Sequence, residues 1–197
     1  MPAHTLPSAR GQGEPLTGKL TPSDGARFLA VVMGSSDQKV LLASDAGYGF
    51  ITELSNMVTK NTKGKAMLSV SRDCEALPPV YVNNYQTDWL VAITTEGRML
   101  VIPAKALPEL PKGKGNKIIQ IPPAKVKKRE EYLKLLEIIP LDTTIKIHAG
   151  KRYIRLTPSN MSDFIGERGR RGRKLPRGFR NADRIEVVEA INHKEVV

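Results

Sequence analysis

The chain has 197 residues, of which 40% are hydrophobic and only 5% aromatic, so aliphatic side chains must supply most of any core. Its 31 Lys and Arg residues outnumber 20 Asp and Glu residues, and the net charge of +11 favours a polyanionic partner such as nucleic acid. A single cysteine, Cys74, excludes a disulfide within the chain and a thiolate metal site. Without a signal peptide or an apolar run of roughly 18 residues, we expect a cytoplasmic protein.

Three segments of the chain repeat one layout, an apolar run followed by two β-rich runs around a glycine. The apolar runs are 28–33, 79–82 and 135–139, and the β-rich pairs are 39–51, 89–102 and 144–156. The central glycines are Gly47, Gly97 and Gly150, which are spaced by 50 and 53 residues. Because glycine readily adopts the positive φ of a tight turn, each pair is predicted to form a β-hairpin.

A basic, glycine-containing loop follows each predicted hairpin. These loops are 62–65, 112–117 and 167–174, and a fourth at 9–13 has no hairpin before it. We expect short apolar strands after the first two, at 66–70 and 118–121. The fourth loop indicates that the chain begins partway through a repeat of a longer protein.

Strand-rich units in series predict an all-β, propeller-like array rather than a β-sandwich whose regular spacing is a coincidence. We expect a single repeat-built domain of about three full blades plus part of a fourth. The predicted parts are 1–26, 27–72, 73–123 and 124–197. Residues 125–134 are predicted to form a loop or one short helix, and 183–189 a closing strand.

Positive charge is concentrated late in the chain, where residues 146–180 hold eleven Lys or Arg and two acids, a net of +9. Loops that recur once per blade are expected to share one edge, where glycine amides and cationic side chains can contact phosphates. No zinc spacing or aromatic RNA-binding signature is present, so shape-dependent duplex binding is expected rather than base reading. The residues predicted to contact DNA are Arg10, Lys60, Lys63, Lys65, Lys112, Lys114, Lys117, Arg168, Arg170, Arg171, Arg173, Lys174 and Arg177.

The sequence contains no recognisable catalytic motif. It has no Walker-type loop, no Asp-x-Asp pair for magnesium and no Gly-x-Ser-x-Gly elbow. The pair Arg152 and Tyr153 could form a phosphoryl-accepting tyrosine with its arginine, but Tyr153 alternates with apolar residues as a packed strand residue does. Two alternatives to DNA binding therefore stay open: a propeller-type scaffold that docks an acidic or chromosome-organising protein, and an enzyme that uses Tyr153.

Several motifs resemble one family, the C-terminal repeats found in the A-type subunits of bacterial gyrase and topoisomerase IV. The motifs are at 6–18, 47–50, 95–103, 110–118 and 166–172, and they cover nearly the whole chain in order. The glutamine-led, Arg- and Gly-rich box of gyrase is absent in its full form, since Ala9-Arg-Gly-Gln-Gly13 is a degenerate version. The topoisomerase IV branch of the family therefore fits better.

This resemblance implies a β-pinwheel, a disc of four-stranded blades that exchange strands and carry duplex DNA on a basic outer edge. It implies that the parent enzyme is an ATP-dependent type II topoisomerase, whose cleavage tyrosine, Mg²⁺ ligands and ATP site lie outside this chain. No catalytic residue, metal site or cofactor is therefore expected here. The implied partners are duplex DNA, the remainder of the A-type subunit, the enzyme's second (B-type) subunit and, in some bacteria, a condensin-like protein near the nucleoid.

Overall fold

The structure, a computed structural model, describes residues 20–188. The strands of this part are β1 (Lys39–Ser44), β2 (Tyr48–Glu53), β3 (Val80–Val82), β4 (Trp89–Thr94), β5 (Arg98–Pro103), β6 (Asn116–Lys117), β7 (Leu133–Ile139), β8 (Thr144–Ala149), β9 (Arg152–Leu156), β10 (Arg173–Lys174) and β11 (Arg184–Val188). The helices are α1 (Leu54–Met57), α2 (Pro123–Lys127) and α3 (Pro158–Met161), with 3-10 turns at Ala104–Ala106 and Ser162–Phe164.

The three predicted hairpins are present as β1–β2, β4–β5 and β8–β9, each antiparallel. Their turn glycines, Gly47, Gly97 and Gly150, have φ values of 84°, 69° and 59°. These angles lie in the left-handed region that a residue with a Cβ enters only at a cost, which explains the glycine at each turn.

The first two sheets are completed by strands from the following repeat, and the third by β11 of its own repeat. The first sheet has the order β3-β1-β2-β6, the second β10-β5-β4-β7 and the third β11-β8-β9. Strands β3 and β6 flank the second hairpin in sequence, yet both pair with the first. Likewise, β7 and β10 flank the third hairpin in sequence, yet both pair with the second hairpin. The predicted all-β pinwheel with strand exchange is confirmed. The predicted repeat boundary 72/73 falls between β2 and β3 of the first sheet, and 123/124 falls within α2.

Each sheet has two chemically distinct edges. We call the edge formed by β3, β7 and β11 the hub edge, because β7 contacts both β3 and β11 of the neighbouring sheets. The opposite edge, formed by β6 and β10, is called the rim edge. The two edges are separated by the central hairpins, so a residue on one edge lies across the sheet from the other.

The core lies between the sheets, and successive residues of the hairpin strands point to opposite sides of it. In β4, Leu90 and Ala92 pack toward the first sheet, whereas Val91 and Ile93 pack toward the third. Because both faces of β4 are covered, the strand is an unbroken apolar run rather than an alternating one. A smaller cluster that includes Phe50 covers the far face of the first sheet.

Two sequence expectations about strands differ from the structure, and the first apolar run, 28–33, lacks the strand that the other two runs form. Residues 28–33 form no strand within the described part of the chain, and Phe28 and Val31 are exposed. Residues 66–70 contribute only an isolated bridge from Leu68 to Gly113. Residues 118–121 form no strand either. They are an irregular segment in which the side chains of Ile118 and Ile119 are buried. The apolar composition of 118–121 therefore indicates burial in the core and not pairing as a β-strand.

Of the two remaining local predictions, the closing strand is confirmed and the segment 125–134 is confirmed in part, because α2 begins at Pro123 and β7 already begins at Leu133. Residues 125–134 contain most of the short helix α2, and β11 lies within the predicted closing strand 183–189. The predicted loop at 9–13, with Arg10, lies outside the described residues, as does the end of the chain beyond Val188. Between residues 20 and 188, no helix is long and apolar enough to cross a membrane.

Candidate nucleic-acid interface

Two of the predicted basic loops form the rim edge themselves. Strand β6 is part of Lys112–Lys117, which we call the lysine loop, and β10 is part of Glu167–Lys174, the arginine loop. Lys117 pairs with Tyr48 on the first hairpin, and Arg173 pairs with Met99 on the second. The two loops therefore occupy matching positions on adjacent sheets.

A glycine in each loop permits this close pairing. Gly115 and Gly172 directly precede β6 and β10, with φ values of 75° and 71°. A Cβ on Gly115 would lie 2.2 Å from the carbonyl oxygen of Gly49, and one on Gly172 would lie 2.6 Å from that of Met99. The glycines are thus needed both for backbone conformation and for the approach of each loop to its hairpin.

Backbone hydrogen bonds join the basic loops in series. The segment after the first loop, 62–65, meets the lysine loop where Ser69 N donates to Gly113 O at 2.8 Å and Gly113 N donates to Met67 O at 2.8 Å. The end of the lysine loop meets the arginine loop where Gly169 N donates to Ile118 O at 2.8 Å. Gln120 N also donates to Arg170 O at 2.9 Å. A continuous path of backbone contacts therefore runs past all three described loops.

Most of the predicted DNA-contacting side chains are exposed along this path. The exposed members are Lys60, Lys63, Lys65, Lys112, Lys114, Arg168, Arg170, Arg173, Lys174 and Arg177. Arg170 pairs with Glu167 at 2.8 Å, but both side chains are more than 70% exposed, so solvent screens the pair and it holds the arginine weakly. Lys65 donates from Nζ to the Asn56 carbonyl. The loops thus bring a row of cations to one edge, while their role in binding stays a prediction.

Tyr48 is a residue at this edge that sequence reasoning missed. The Lys114 ammonium lies 4.3 Å from the centre of its ring, and that of Lys117 lies 5.7 Å away. Lys117 also donates to Gln120 Oε1 at 3.0 Å. An aromatic ring below two ammonium groups restrains them by a cation–π attraction. The Gly-Tyr-Gly sequence of the first hairpin draws attention to Tyr48. The sequence alone does not give the strand register that places Lys117 opposite Tyr48.

Arg171 differs from its neighbours because it points into the protein. Its guanidinium donates to the Glu131 carboxylate at 2.7 and 2.5 Å, and to the Gln120 carbonyl at 3.0 Å. The Glu131 side chain is fully buried and also accepts from Thr94 Oγ1 at 2.9 Å. A bidentate pair to a buried carboxylate fixes the arginine loop on the second hairpin. The geometry thus gives Arg171 a positioning role, although sequence grouped it with the phosphate contacts.

The carboxylate of Glu96, near this anchor, remains ionised for electrostatic reasons. Its pKa is lowered chiefly by a hydrogen bond from the Lys125 ammonium, with further contributions from the charges of Lys125, Lys174 and Arg171. The negative charge of Glu96 is therefore neutralised by Lys125, and the exposed cations of the arginine loop still give this edge a positive potential.

The structure directs the side chains of Arg152 and Tyr153, the pair considered in the sequence, to different partners. Arg152 donates to the Gly178 carbonyl and lies 5.7 Å from the Phe179 ring. Tyr153 faces His148 instead, with ring centres 5.6 Å apart, and is 56% exposed. Between residues 20 and 188, no three His, Cys, Asp or Glu side chains are grouped so that they could hold a metal ion.

Strand-exchanged sheets in series with glycine-bearing basic loops on one edge define a gyrase-type propeller domain. The family described as "DNA gyrase C-terminal domain, beta-propeller" matches residues 38–77 and 88–134. The E. coli ParC C-terminal domain structure superposes with a TM-score of 0.88 at 48% identity, over 95% of this chain and 75% of that one. The chain belongs to the family of ParC C-terminal domains, which are part of topoisomerase IV.

Curated relatives agree with this assignment. The DNA topoisomerase 4 A-type subunit of Pseudomonas aeruginosa is 49% identical over 187 residues, which are 95% of this chain and 25% of the relative. The Escherichia coli protein of the same name is 50% identical over 183 residues, 93% of this chain and 24% of the relative. The chain thus spans about a quarter of the length of these proteins.

Proposed function

We propose that this chain binds and bends duplex DNA along its rim edge, as the DNA-binding C-terminal part of a topoisomerase IV ParC protein. The observation that carries the proposal is the hydrogen-bonded series of basic loops, which offers cations at successive positions on adjacent sheets. Family membership supports the same partner, because the matching relatives are named as DNA topoisomerases.

The chemistry of the loops suits a phosphate backbone. Exposed Lys and Arg side chains neutralise phosphates and release counterions, and glycines allow close approach of backbone amides. A duplex that contacts the lysine loop and then the arginine loop must follow two neighbouring sheets, which favours a curved path. Because these groups read phosphate and shape, we expect little dependence on base sequence.

In this proposal the chain carries no active site and serves catalysis performed elsewhere. ATP, Mg²⁺ and the cleavage tyrosine belong to other parts of the ParC protein or to its partner in the enzyme, and the rim helps select crossings for decatenation and supercoil relaxation. A cytoplasmic, nucleoid-associated location follows from this role. Docking of a condensin-like partner stays a prediction of the family resemblance.

Binding to duplex DNA measured against salt concentration tests the proposal. We expect the logarithm of the association constant to fall linearly with the logarithm of salt concentration, with a slope set by the number of phosphates neutralised. A scaffold that docks an acidic protein would show no duplex binding at about 50 mM salt. That outcome, or a flat salt dependence, would exclude the DNA role.

Paired variants locate the binding edge. Lys112→Ala with Lys114→Ala should weaken binding equally on unrelated sequences and reduce the salt slope by about two. The matched control, Lys105→Ala with Lys134→Ala, removes the same charge from the far end of the second hairpin and from the hub edge. Equal losses from both pairs would mean that net charge, and not the rim, binds DNA.

A further inference from the structure

The hub edge carries a groove that the proposed DNA contact does not use. It lies between β3 and β7, has a volume of about 500 Å³ and is lined by residues 77–81, 83 and 134–138. This volume is within the range of binding clefts for peptides and small molecules, roughly 300–1,000 Å³. Because β3 and β7 are at the sheet edges opposite β6 and β10, the groove is separated from the basic loops.

The groove offers an open strand edge beside apolar side chains. Strand β7 pairs with β4 on one side, and within residues 20–188 no ladder forms on its other side. One wall contains Pro78 and Pro79, which have no N–H, and the other contains Leu135 and Leu136. An unpaired strand edge next to apolar pockets is the arrangement that binds extended peptides by strand addition.

Glu137 gives the groove a negative charge in a strongly cationic chain. It is half-buried on β7, and burial raises the pKa of its carboxyl group. Among the described residues no cation lies within ion-pairing distance of it, whereas Asp45, Glu96 and Glu131 each have a Lys or Arg partner. The neighbouring Lys134 donates to the Ala182 carbonyl at 2.7 Å and is thereby directed toward the segment that leads into β11 of the third sheet.

The Glu137 carboxylate accepts one hydrogen bond, from the Ile138 backbone N–H at 3.3 Å. A partly desolvated carboxylate without a cation is costly, and a polyanion such as DNA is repelled from it. We propose that the groove between β3 and β7 binds an extended segment of a partner protein. The segment pairs with the free edge of β7 and places a Lys or Arg, flanked by apolar residues, against Glu137. This interface is independent of DNA binding at the rim.

Labelled peptides of about nine residues, slightly longer than β7, test the inference against the full chain. A central arginine, glutamine or glutamate is flanked by alternating valine and threonine, and binding is followed by fluorescence anisotropy. We expect the arginine peptide to bind at least about tenfold more tightly than the glutamate peptide. N-methylation of alternate peptide bonds should abolish binding, because it removes the donors that a strand edge needs.

Variants assign the charge preference to one carboxylate. Glu137→Gln should remove the difference between the arginine and glutamine peptides, while Glu186→Gln, on β11 away from the groove, should leave it intact. Equal binding of all three peptides, or no binding at about 1 mM peptide, would overturn the inference. The peptide series on the unchanged chain decides the question even if Glu137→Gln fails to fold.

Discussion

At the scale of single residues, neighbouring arginines of one loop have opposite roles. Arg170 and Arg171 are adjacent in sequence, yet the Arg170 side chain is 73% exposed while Arg171 forms an ion pair with the buried carboxylate of Glu131. From composition alone, both arginines were predicted to contact DNA. The distinction arises in the irregular turn before β10, which leaves Arg170 in solvent and directs Arg171 to Glu131.

Alanine substitution should separate these roles. Arg171→Ala leaves the buried Glu131 carboxylate with the Lys125 ammonium, 4.0 Å away, as its only cationic partner among the described residues, so we expect a loss of about 3 kcal/mol in the free energy of unfolding. Arg170→Ala should change stability by less than about 0.5 kcal/mol, because its pair with Glu167 is exposed. Urea unfolding gives the first quantity, and DNA titration should show the reduced salt slope for Arg170→Ala.

A double substitution controls for the anchoring interpretation. Arg171→Met with Glu131→Leu removes both charges and should recover most of the stability that Arg171→Ala loses, because apolar groups can replace a buried ion pair. If Arg171→Ala proved as stable as the unchanged chain, the guanidinium would not be an anchor, and its assignment as a phosphate contact would stand.

At the scale of elements, the hairpins were predictable from the residues, and the short rim strands β6 and β10 were not. A turn glycine between β-rich runs is a local signal, and Gly47, Gly97 and Gly150 each mark a real turn. Strands β6 and β10 have two residues each and pair with a hairpin of the preceding repeat. Such short segments have no periodicity of their own. The role of Arg171 was not predictable either, because its partner Glu131 lies 40 residues away in the sequence.

The fit of the arginine loop to its hairpin can be tested at Gly172. Gly172→Ala combines a left-handed φ of 71° with a Cβ at 2.6 Å from the Met99 oxygen. Gly64→Ala is the matched control, because its φ is 84° but its Cβ would meet nothing within 4 Å. We expect about 1 kcal/mol of destabilisation at Gly64 and at least twice that at Gly172.

DNA binding provides a second readout of these two variants. Gly172→Ala should also weaken duplex binding, because displacement of β10 moves Arg173 and Lys174. Equal destabilisation at Gly64 and Gly172 in urea unfolding would mean that the close approach contributes nothing beyond the backbone conformation.

At the scale of the whole molecule, strand exchange links the three repeats into one cooperative unit. Removal of residues 124–197 would take β7 and β10 away from the second sheet and expose both edges of its hairpin. We therefore expect a chain of residues 1–123 to be unfolded or aggregated, although its own two hairpins are intact in sequence.

Unfolding of the full chain should accordingly be a single transition. Trp89, the only tryptophan, lies on β4 in the second sheet, whereas far-ultraviolet circular dichroism reports on all three sheets. Coincident urea curves from the two signals are the expected result. Separate midpoints, or a stable chain of residues 1–123, would show that the three sheets do not form one cooperative unit.

Strand exchange also constrains how such an array can change during evolution. The first and second hairpins are each completed by the repeat that follows. A gene duplication or deletion therefore keeps every internal sheet complete only when it spans a whole period, here 50 or 53 residues between turn glycines. A partial event leaves one hairpin without its donor strands. Descendants of one ancestral array can therefore differ in length by entire repeats while each junction between repeats stays the same.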